Sequence, residues 1–375
     1  MLPPSTELTL VAMLLRALGF LAGLLLVFDA LRSALRTFVL PRSAGDRITR
    51  LLFTLLRRGF DRRVRRKASY AERDRIMAFF APLGLMLLLP VWLSMILVGY
   101  MAMFWAVGVR PLYAAFVESG SSLFTLGFER VDGVAPMILT FSESTIGLIL
   151  VALLIAYLPT MYGAFARREQ AVTLLEVRAG APPSALEMIR RFHRLGRMER
   201  LDEMWVTWEV WFAEIEESHT SLAALVFFRS PQPDHSWVTA AGAVLDAAAL
   251  RLALVDLPHT DVQAQLCLRA GYIALRRIAD FFALAYNPDP HFPADPISVS
   301  REDFDAACAI LAADGVPLVA DLDRAWQAFA GWRVNYDATL IGFCRMTMAP
   351  SAPWSSDRAG IDALLAAGIE VGAVG

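Results

Sequence analysis

The sequence lacks the short motifs by which many proteins hold metals, nucleotides or disulfides. Its three cysteines, Cys267, Cys308 and Cys344, are widely separated and form no CxxC pair, which argues against a disulfide framework or a zinc site. It contains no HExxH, Walker A or EF-hand sequence, and no GxGxxG follows a strand-like segment. We therefore expect buried free cysteines in a reducing compartment, no cofactor, no resident metal and no enzymatic activity.

Alternating strand patterns are also absent, and the charged residues are unevenly distributed. The chain is 57% hydrophobic and only 19% charged. Residues 171–375 carry 26 acidic and 16 basic residues, whereas residues 1–170 have an excess of eight positive charges. This division predicts a basic membrane part followed by an acidic soluble part that is helical.

Three apolar segments predict helices that cross the membrane. They cover residues 8–27, with Arg16 as the one charge, residues 77–107, and residues 146–157 with an extension toward Phe165. A helix of about 20 residues spans the hydrocarbon core of a bilayer, which is roughly 30 Å thick. No basic segment precedes the first span and no small-residue cleavage site follows it, so a retained helix is favoured over a signal peptide.

Residues 32–75 form a strongly basic connection between the first two spans, with fourteen arginines or lysines. The positive-inside rule places this connection in the cytoplasm, so we expect the N-terminus outside and the C-terminal part inside. Arg167 and Arg168 follow the third span and agree with this polarity. Residues 48–56 predict an interfacial helix against anionic lipid. Binding of nucleic acid is not expected beside two membrane spans.

The connection between the second and third spans, residues 108–143, is not simply polar. A short helix is predicted from Pro111 to near Gly120, and the stretch SSLFTLGF, residues 121–128, follows it. A helix that dips into the membrane and returns must be shielded by protein or water. Backbone carbonyls can replace the hydration shell of an ion, and Gly127 supplies the backbone freedom that such a strand needs.

The order of helix, short helix, TLGF and helix over residues 77–166 resembles the pore module of two-transmembrane-type potassium channels. The resemblance implies an ion selectivity filter, four chains around an axis and a permeant potassium ion. The filter residues would be Thr125, Leu126, Gly127 and Phe128, with the Thr125 hydroxyl innermost and Phe128 packed outward. This chain has Glu129 and Arg130 where that family usually has Gly-Asp.

Further residues are predicted around the filter. Glu129, Asp132 and Glu143 are expected to form acidic rings at the outer mouth that attract cations. Gly147, Pro159 and Gly163 of the third span are candidate bend points. A gate hinge and a static kink are equally consistent with these three residues.

Residues 167–375 predict helices over about 198–217, 237–255, 262–285, 301–313 and 319–341. A tryptophan stripe in the first of these, which includes Trp205, Trp208 and Trp211, is expected to form core. Two loops are predicted, residues 230–236, in which Asp234 or Ser236 could cap the next helix, and the proline-rich residues 287–296. The cluster of Glu214, Glu216, Glu217 and His219 is interpreted as solvated charge. A divalent-ion site at Asp289, His291 and Asp295 is the less favoured interpretation of those residues.

The sequence therefore predicts an all-α membrane protein with three transmembrane helices, a re-entrant pore helix and filter, and a helical cytoplasmic domain. The predicted domains are an N-terminal transmembrane helix (1–31), a basic cytoplasmic loop with an interfacial helix (32–75), a pore module (76–166) and an all-α cytoplasmic domain (167–375). The predicted function is a homotetrameric, potassium-preferring cation channel that spans the cell membrane several times and contacts its lipids. Two alternatives stay open, a weakly selective cation channel and a non-conducting membrane-anchored interaction protein. The regulatory ligand is not predicted.

Overall fold

The computed structural model describes residues 4–40, 46–65, 69–256, 259 and 261–355. Within these residues it contains thirteen α-helices and no strand longer than the isolated bridge between Val255 and Leu318. The helices are α1 Pro4–Phe38, α2 Arg47–Val64, α3 Tyr70–Met77, α4 Phe80–Ala106, α5 Leu112–Leu123, α6 Val134–Ala179, α7 Ala185–Arg194, α8 Leu201–Ser221, α9 Trp237–Ala253, α10 Val262–Phe281, α11 Arg301–Ala313, α12 Leu322–Arg333 and α13 Asp337–Thr347. Two 3-10 turns cover Met198–Arg200 and Ala223–Phe227. The prediction of an all-α protein is confirmed for this part of the chain.

Three helical stretches are long and apolar enough to cross a membrane, over residues 10–38, 70–106 and 134–179. This confirms three long apolar helices at about the predicted positions, and their insertion in a membrane stays a prediction. The third is much longer than predicted, because α6 has 46 residues and therefore a length of about 69 Å at 1.5 Å per residue. That length is more than twice the thickness of a bilayer core of roughly 30 Å, so α6 continues beyond any membrane that it crosses.

The chain divides into two compact units. The first unit comprises residues 1–60 and 80–162, and the second unit comprises residues 61–79 and 163–375. Helices α2 and α6 therefore each contribute to both units. The domain boundaries that the sequence predicts stay predictions, and residues 1–3, 41–45, 66–68, 257–258, 260 and 356–375 of those domains lie outside the described residues.

In the first unit, α1 and α4 approach each other closely at two glycines. A Cβ at Gly23 would lie 2.4 Å from the carbonyl oxygen of Gly99, and a Cβ at Gly99 would lie 2.8 Å from that of Gly23. Small residues at such a crossing let helix backbones pack together, which is how membrane helices commonly associate. Beyond the crossing, the Trp92 indole N–H donates to Ser33 Oγ at 2.9 Å.

Helix α2 lies against the start of α4. The Asp46 carboxylate begins α2 by accepting hydrogen bonds from the amides of Ile48 and Thr49, at 3.0 and 3.1 Å. Farther along, the Phe53 ring fills the space beside Gly84, where a Cβ would lie 2.6 Å from that ring. Leu51 on the same helix is exposed. A helix over residues 48–56 is confirmed, and its place at a lipid surface stays a prediction.

The core of the second unit is built around α8, α9 and α10. The tryptophan stripe of α8 is buried as predicted, with Trp205 fully enclosed. Helix α9 is enclosed along nearly its whole length, because its alanines let neighbouring helices approach closely. Gly271 of α10 serves the same purpose, since a Cβ there would lie 2.4 Å from a methyl group of Leu245. The three cysteines are buried and free, as expected.

The second unit differs from the sequence prediction in three places. The single helix predicted over residues 319–341 is two helices, α12 and α13, because the Asn335 side chain donates to the Gly331 and Trp332 carbonyls at the end of α12. Helix α7, capped by Ser184, was not predicted because its apolar pattern is only ten residues long. His219 is buried, not solvated with Glu214 and Glu217. By contrast, the cap at Ser236 and the irregular proline-rich loop are confirmed.

Candidate functional site

Helix α5 lies between α4 and α6 in the chain and starts directly after Pro111. It begins where the sequence predicts and ends at Leu123, three residues beyond Gly120. The helix packs on α4, since the Ser119 hydroxyl lies 3.0 Å from the Leu97 carbonyl oxygen. The end of α5 therefore has a fixed position within the first unit.

The chain leaves α5 through a Schellman motif. The Leu126 amide donates to the Ser121 carbonyl at 2.8 Å and the Thr125 amide donates to the Ser122 carbonyl at 3.0 Å. Thr125 occupies the left-handed position of this motif, with φ +55°. That position usually holds glycine, and a β-branched residue in it is a backbone outlier that costs about 1–3 kcal/mol. Gly127 is also left-handed, with φ +67°, so two such residues stand on either side of Leu126.

The turn over residues 124–128, here called the TLGF turn, is exposed in the single chain. The side chains of Phe124, Leu126 and Phe128 are 52%, 63% and 63% exposed. A Cβ at Gly127 would meet no atom within 4 Å, so its backbone conformation and not crowding calls for glycine there. The Phe128 ring, which is predicted to pack outward, is mostly exposed in the single chain.

The three carboxylates predicted for an outer mouth lie in two different surroundings. Glu129 and Asp132 are exposed in the loop that follows the TLGF turn, and the Glu129 amide donates to Ser121 Oγ at 3.4 Å. Glu143 lies on α6 and is fully buried, where Ser119 Oγ is 2.6 Å from its Oε1 atom. Glu143 therefore lies in the contact between α5 and α6 and not with the exposed Glu129 and Asp132.

Glu143 is part of a buried group of hydroxyl and carboxylate side chains that the sequence analysis missed. Glu118 Oε1 accepts from Thr140 Oγ1 at 2.7 Å and from Ser122 Oγ at 3.2 Å. Ser144 Oγ donates to the Ser122 carbonyl at 2.7 Å. We call this group the α5–α6 polar cluster; its members are Glu118, Ser119, Ser122, Thr140, Glu143 and Ser144. All six residues lie between the second and third spans that the sequence predicts, so no polar residue inside an apolar run indicated the cluster. It forms because α6 begins as early as Val134 and lies against α5.

The three candidate bend points differ in their surroundings. A Cβ at Gly147 would lie 2.4 Å from the Leu123 carbonyl oxygen, so glycine is needed there for α6 to pass the end of α5. At Gly163 the nearest atom to a Cβ would be Arg167 Nη1 at 3.7 Å. Helix α6 continues without a break through both glycines and Pro159. The hinge and kink interpretations both stay open as predictions.

No group of three or more His, Cys, Asp or Glu side chains among the described residues could hold a metal ion. In the proline-rich loop, Asp295 accepts from the Asn287 side-chain amide at 3.0 Å and from the His291 backbone amide at 2.9 Å. This carboxylate therefore fixes the shape of its own loop. The less favoured divalent-ion interpretation gains no support from these contacts.

Comparison with protein-family models, with curated proteins and with solved structures gave no match. The functional argument therefore depends on the local sequence and geometry of α5, the TLGF turn and α6.

Proposed function

We propose that this protein is the subunit of a homotetrameric cation channel of the cell membrane that prefers potassium. The carbonyl groups of Thr125, Leu126, Gly127 and Phe128 would replace the hydration shell of the permeant ion. One observation carries the proposal: a short helix between two long apolar helices ends in an exposed turn with Thr125 and Gly127 both left-handed. Strain of this kind at a β-branched residue is typical of ligand sites, where the local conformation serves function at a cost in stability.

Assembly follows from what one chain supplies. A filter needs a ring of carbonyls around an axis, and each chain has one TLGF turn. The exposed side chains of Phe124, Leu126 and Phe128 form an apolar surface that neighbouring copies would cover. Four copies is the number implied by the resemblance to potassium channels.

The charge distribution supports the orientation. The basic residues between the first two spans favour a cytoplasmic position for that connection, with the N-terminus outside. The TLGF turn would then open toward the outside, where Glu129 and Asp132 are exposed and would raise the local concentration of cations. Conduction would be passive, by partly dehydrated ions that exchange water for carbonyl oxygens.

A weakly selective cation channel is the second candidate, and Glu129 is the observation that favours it. The amide of Glu129 is held by Ser121 Oγ at 3.4 Å, and a glutamate with Arg130 stands where the resembling family has Gly-Asp. A glutamate resists positive φ at a cost of order 1 kcal/mol or more, so the outermost ion site would be altered.

Flux measurements on the purified full chain in liposomes test the proposal. A potassium flux larger than the sodium flux supports the first candidate, and equal fluxes support the second. No flux in a confirmed oligomer, over a range of voltage and pH, would contradict both and leave a membrane-anchored interaction protein.

Gly127→Ala tests the filter assignment directly. Alanine resists φ +67°, so we expect the flux to be lost while the second unit stays folded. Gly120→Ala is the matched control, because Gly120 lies inside α5 and a Cβ there would meet no atom within 4 Å. Flux through the Gly127→Ala variant at the level of the control would show that the filter lies elsewhere.

A further inference from the structure

Glu143 is a buried carboxyl group without a cationic partner. Its side chain is fully enclosed, and among the described residues it forms no ion pair with an arginine, lysine or histidine. Its Oε2 atom is buried and accepts no hydrogen bond there. An ionised carboxylate in such surroundings would be strongly destabilised, because burial without compensating donors removes its hydration.

The hydrogen bonds around Ser119 indicate where a proton lies. Ser119 Oγ is 3.0 Å from the Leu97 carbonyl oxygen and 2.6 Å from Glu143 Oε1. A carbonyl oxygen only accepts, and a serine hydroxyl has a single proton to donate. When Ser119 donates to Leu97, the short contact with Glu143 is a hydrogen bond only if the carboxyl group carries the proton and donates it to Ser119.

Among the residues that the structure describes, the elements packed around Glu143 add no positive charge. Helix α5 contributes Glu118, whose Oε1 atom has donors of its own in Thr140 and Ser122. Helix α4 contributes Tyr100, whose hydroxyl lies 2.9 Å from Ser142 Oγ. A second carboxyl group nearby disfavours ionisation of Glu143 further, since two like charges oppose each other. Both carboxyl groups have a second oxygen that is buried without a hydrogen bond. They differ at Oε1, where Glu118 faces two hydroxyl groups and Glu143 faces Ser119 alone.

We propose that Glu143 is a proton-binding positioning residue. As a neutral acid it donates to Ser119, which in turn donates to Leu97, so one chain of hydrogen bonds fastens α6, α5 and α4 together. This chain fixes the end of α5 and therefore the TLGF turn. Loss of the proton to water at high pH would leave an uncompensated charge and loosen α5. The effect on conduction rests on the proposed channel function, but the protonation of Glu143 does not.

Infrared spectroscopy of the full chain in lipid tests protonation without any flux. We expect a carbonyl-stretch band of a buried carboxylic acid in the wild type at neutral pH, and its loss in Glu143→Gln. The control is Glu129→Gln, which changes an exposed carboxylate and should leave the band unchanged. A difference spectrum of Glu143→Gln without a carboxylic acid band would overturn the proposal.

Thermal stability tests the positioning role, again without flux. Glutamine keeps a donor toward Ser119 and cannot ionise, whereas the unfolded wild-type chain releases the Glu143 proton above the usual pKa of about 4.3. Glu143→Gln should therefore unfold above the wild-type temperature at neutral pH. As the pH rises, the wild type should lose stability and Glu143→Gln should not, because only the wild type has a proton to lose. Equal alkaline loss in both proteins, or a lower unfolding temperature for Glu143→Gln at neutral pH, would contradict the role.

Flux then separates this inference from the proposed function. The wild type should lose conduction at alkaline pH, while Glu143→Gln keeps it. If the wild type conducts and Glu143→Gln loses conduction at alkaline pH to the same extent, the link between Glu143 and the filter is wrong. Absence of flux in both proteins would contradict the channel proposal, and the infrared and thermal results would still decide whether Glu143 holds a proton.

Discussion

The carbonyl oxygen of Leu123 lies against Gly147, so closely that a Cβ on Gly147 would be 2.4 Å from it. Helix α6 can therefore pass the last turn of α5 only where it has no side chain. Leu123 is the last residue of α5, and the TLGF turn follows at once. Gly147 is thus needed for α6 to pack against the last turn of α5. Any hinge motion at this residue would have to move the two helices apart.

Gly147→Ala should destabilise the first unit. The added methyl group would overlap a backbone atom, which cannot rotate away, and overpacking of this kind typically costs about 1–3 kcal/mol. Thermal unfolding of the full chain in detergent measures the change. Gly163→Ala is the matched control on the same helix, because its nearest atom would be 3.7 Å away at the end of the flexible Arg167 side chain. Equal unfolding temperatures for the two variants would show that the close contact between Gly147 and the Leu123 carbonyl does not affect stability.

The sequence predicts those features that depend on local pattern. Pro111 places the start of α5, and the apolar runs place the three spans. Thr125 could not be recognised as strained, because its left-handed φ depends on how α5 ends against Ser121 and Ser122. The burial of Glu143 against α5 could not be predicted either, because it depends on the length of α6 and on the contact between the two helices, which are tertiary properties.

Replacement of the two residues after the filter by those of the resembling family should change ion selectivity. In the double variant Glu129→Gly, Arg130→Asp, the glycine would permit positive φ without strain, and the sequence would match the resembling family. We expect a higher ratio of potassium to sodium flux than in the wild type. The measurement is the ratio of the two fluxes in liposomes under matched gradients.

The control for this exchange is Asp132→Asn, which removes a nearby exposed charge and leaves the filter backbone unchanged. It should change the total cation flux more than the ratio, because it acts on attraction at the mouth. A ratio in the double variant that equals the wild-type ratio would mean that residues 129 and 130 do not shape an ion site.

Replacement of Arg333 should strongly destabilise the second unit. It is fully buried, pairs with the buried Asp246 and donates to Asp337 at 2.7 Å. Burial opposes its charge, but these two carboxylates outweigh it and raise the pKa of Arg333 above its usual value. Arg333→Met removes the charge and leaves Asp246 buried with the Tyr336 hydroxyl but without its cationic partner, which typically costs about 3–5 kcal/mol.

Denaturant unfolding monitored by tryptophan emission suits this test, because seven of the nine tryptophans lie in the second unit. The control is Arg200→Met, which breaks a pair with Glu203 in which the two side chains are 60% and 68% exposed. Exposed pairs contribute about 0–1 kcal/mol, so this variant should stay close to the wild type. Similar losses of unfolding free energy in both variants would show that burial does not make the Arg333 ion pairs more important than an exposed pair.

The buried His219 should make the second unit sensitive to mild acid. Burial, and then the positive charge of Arg168, hold the pKa of His219 well below its usual 6.5. Arg168 Nη1 lies 3.3 Å from His219 Nε2, and Ser218 Oγ lies 3.1 Å from Nδ1. Because Ser218 donates to the Glu214 carbonyl at 2.7 Å, Nδ1 carries the ring proton and Nε2 accepts from Arg168.

The unfolded chain therefore binds a proton at His219 more readily than the folded chain does. Stability is fully present above the usual pKa of about 6.5 and is lost as the pH falls below it, by at most about 1.4 kcal/mol per pH unit. Asp314 acts in the same direction, because its hydrogen bond with Arg190 lowers its pKa. Its loss begins only near the usual value for aspartate, 3.8. Burial raises the pKa values of Asp74, Asp202 and Asp246, so these carboxyl groups act in the opposite direction above that value. The contribution of His219 is therefore the difference between two proteins, with and without this histidine, from about pH 6.5 to pH 4.

His219→Gln removes the titrating group and should flatten the fall in unfolding free energy across this interval. His291→Gln is the control, since the His291 side chain is 73% exposed and its loss should leave the acid dependence unchanged. Tryptophan-monitored unfolding at a series of pH values compares the three proteins. If the wild type and His219→Gln lost stability in parallel as the pH fell, His219 would be protonated in the folded chain, and its contact with Arg168 would not persist in solution.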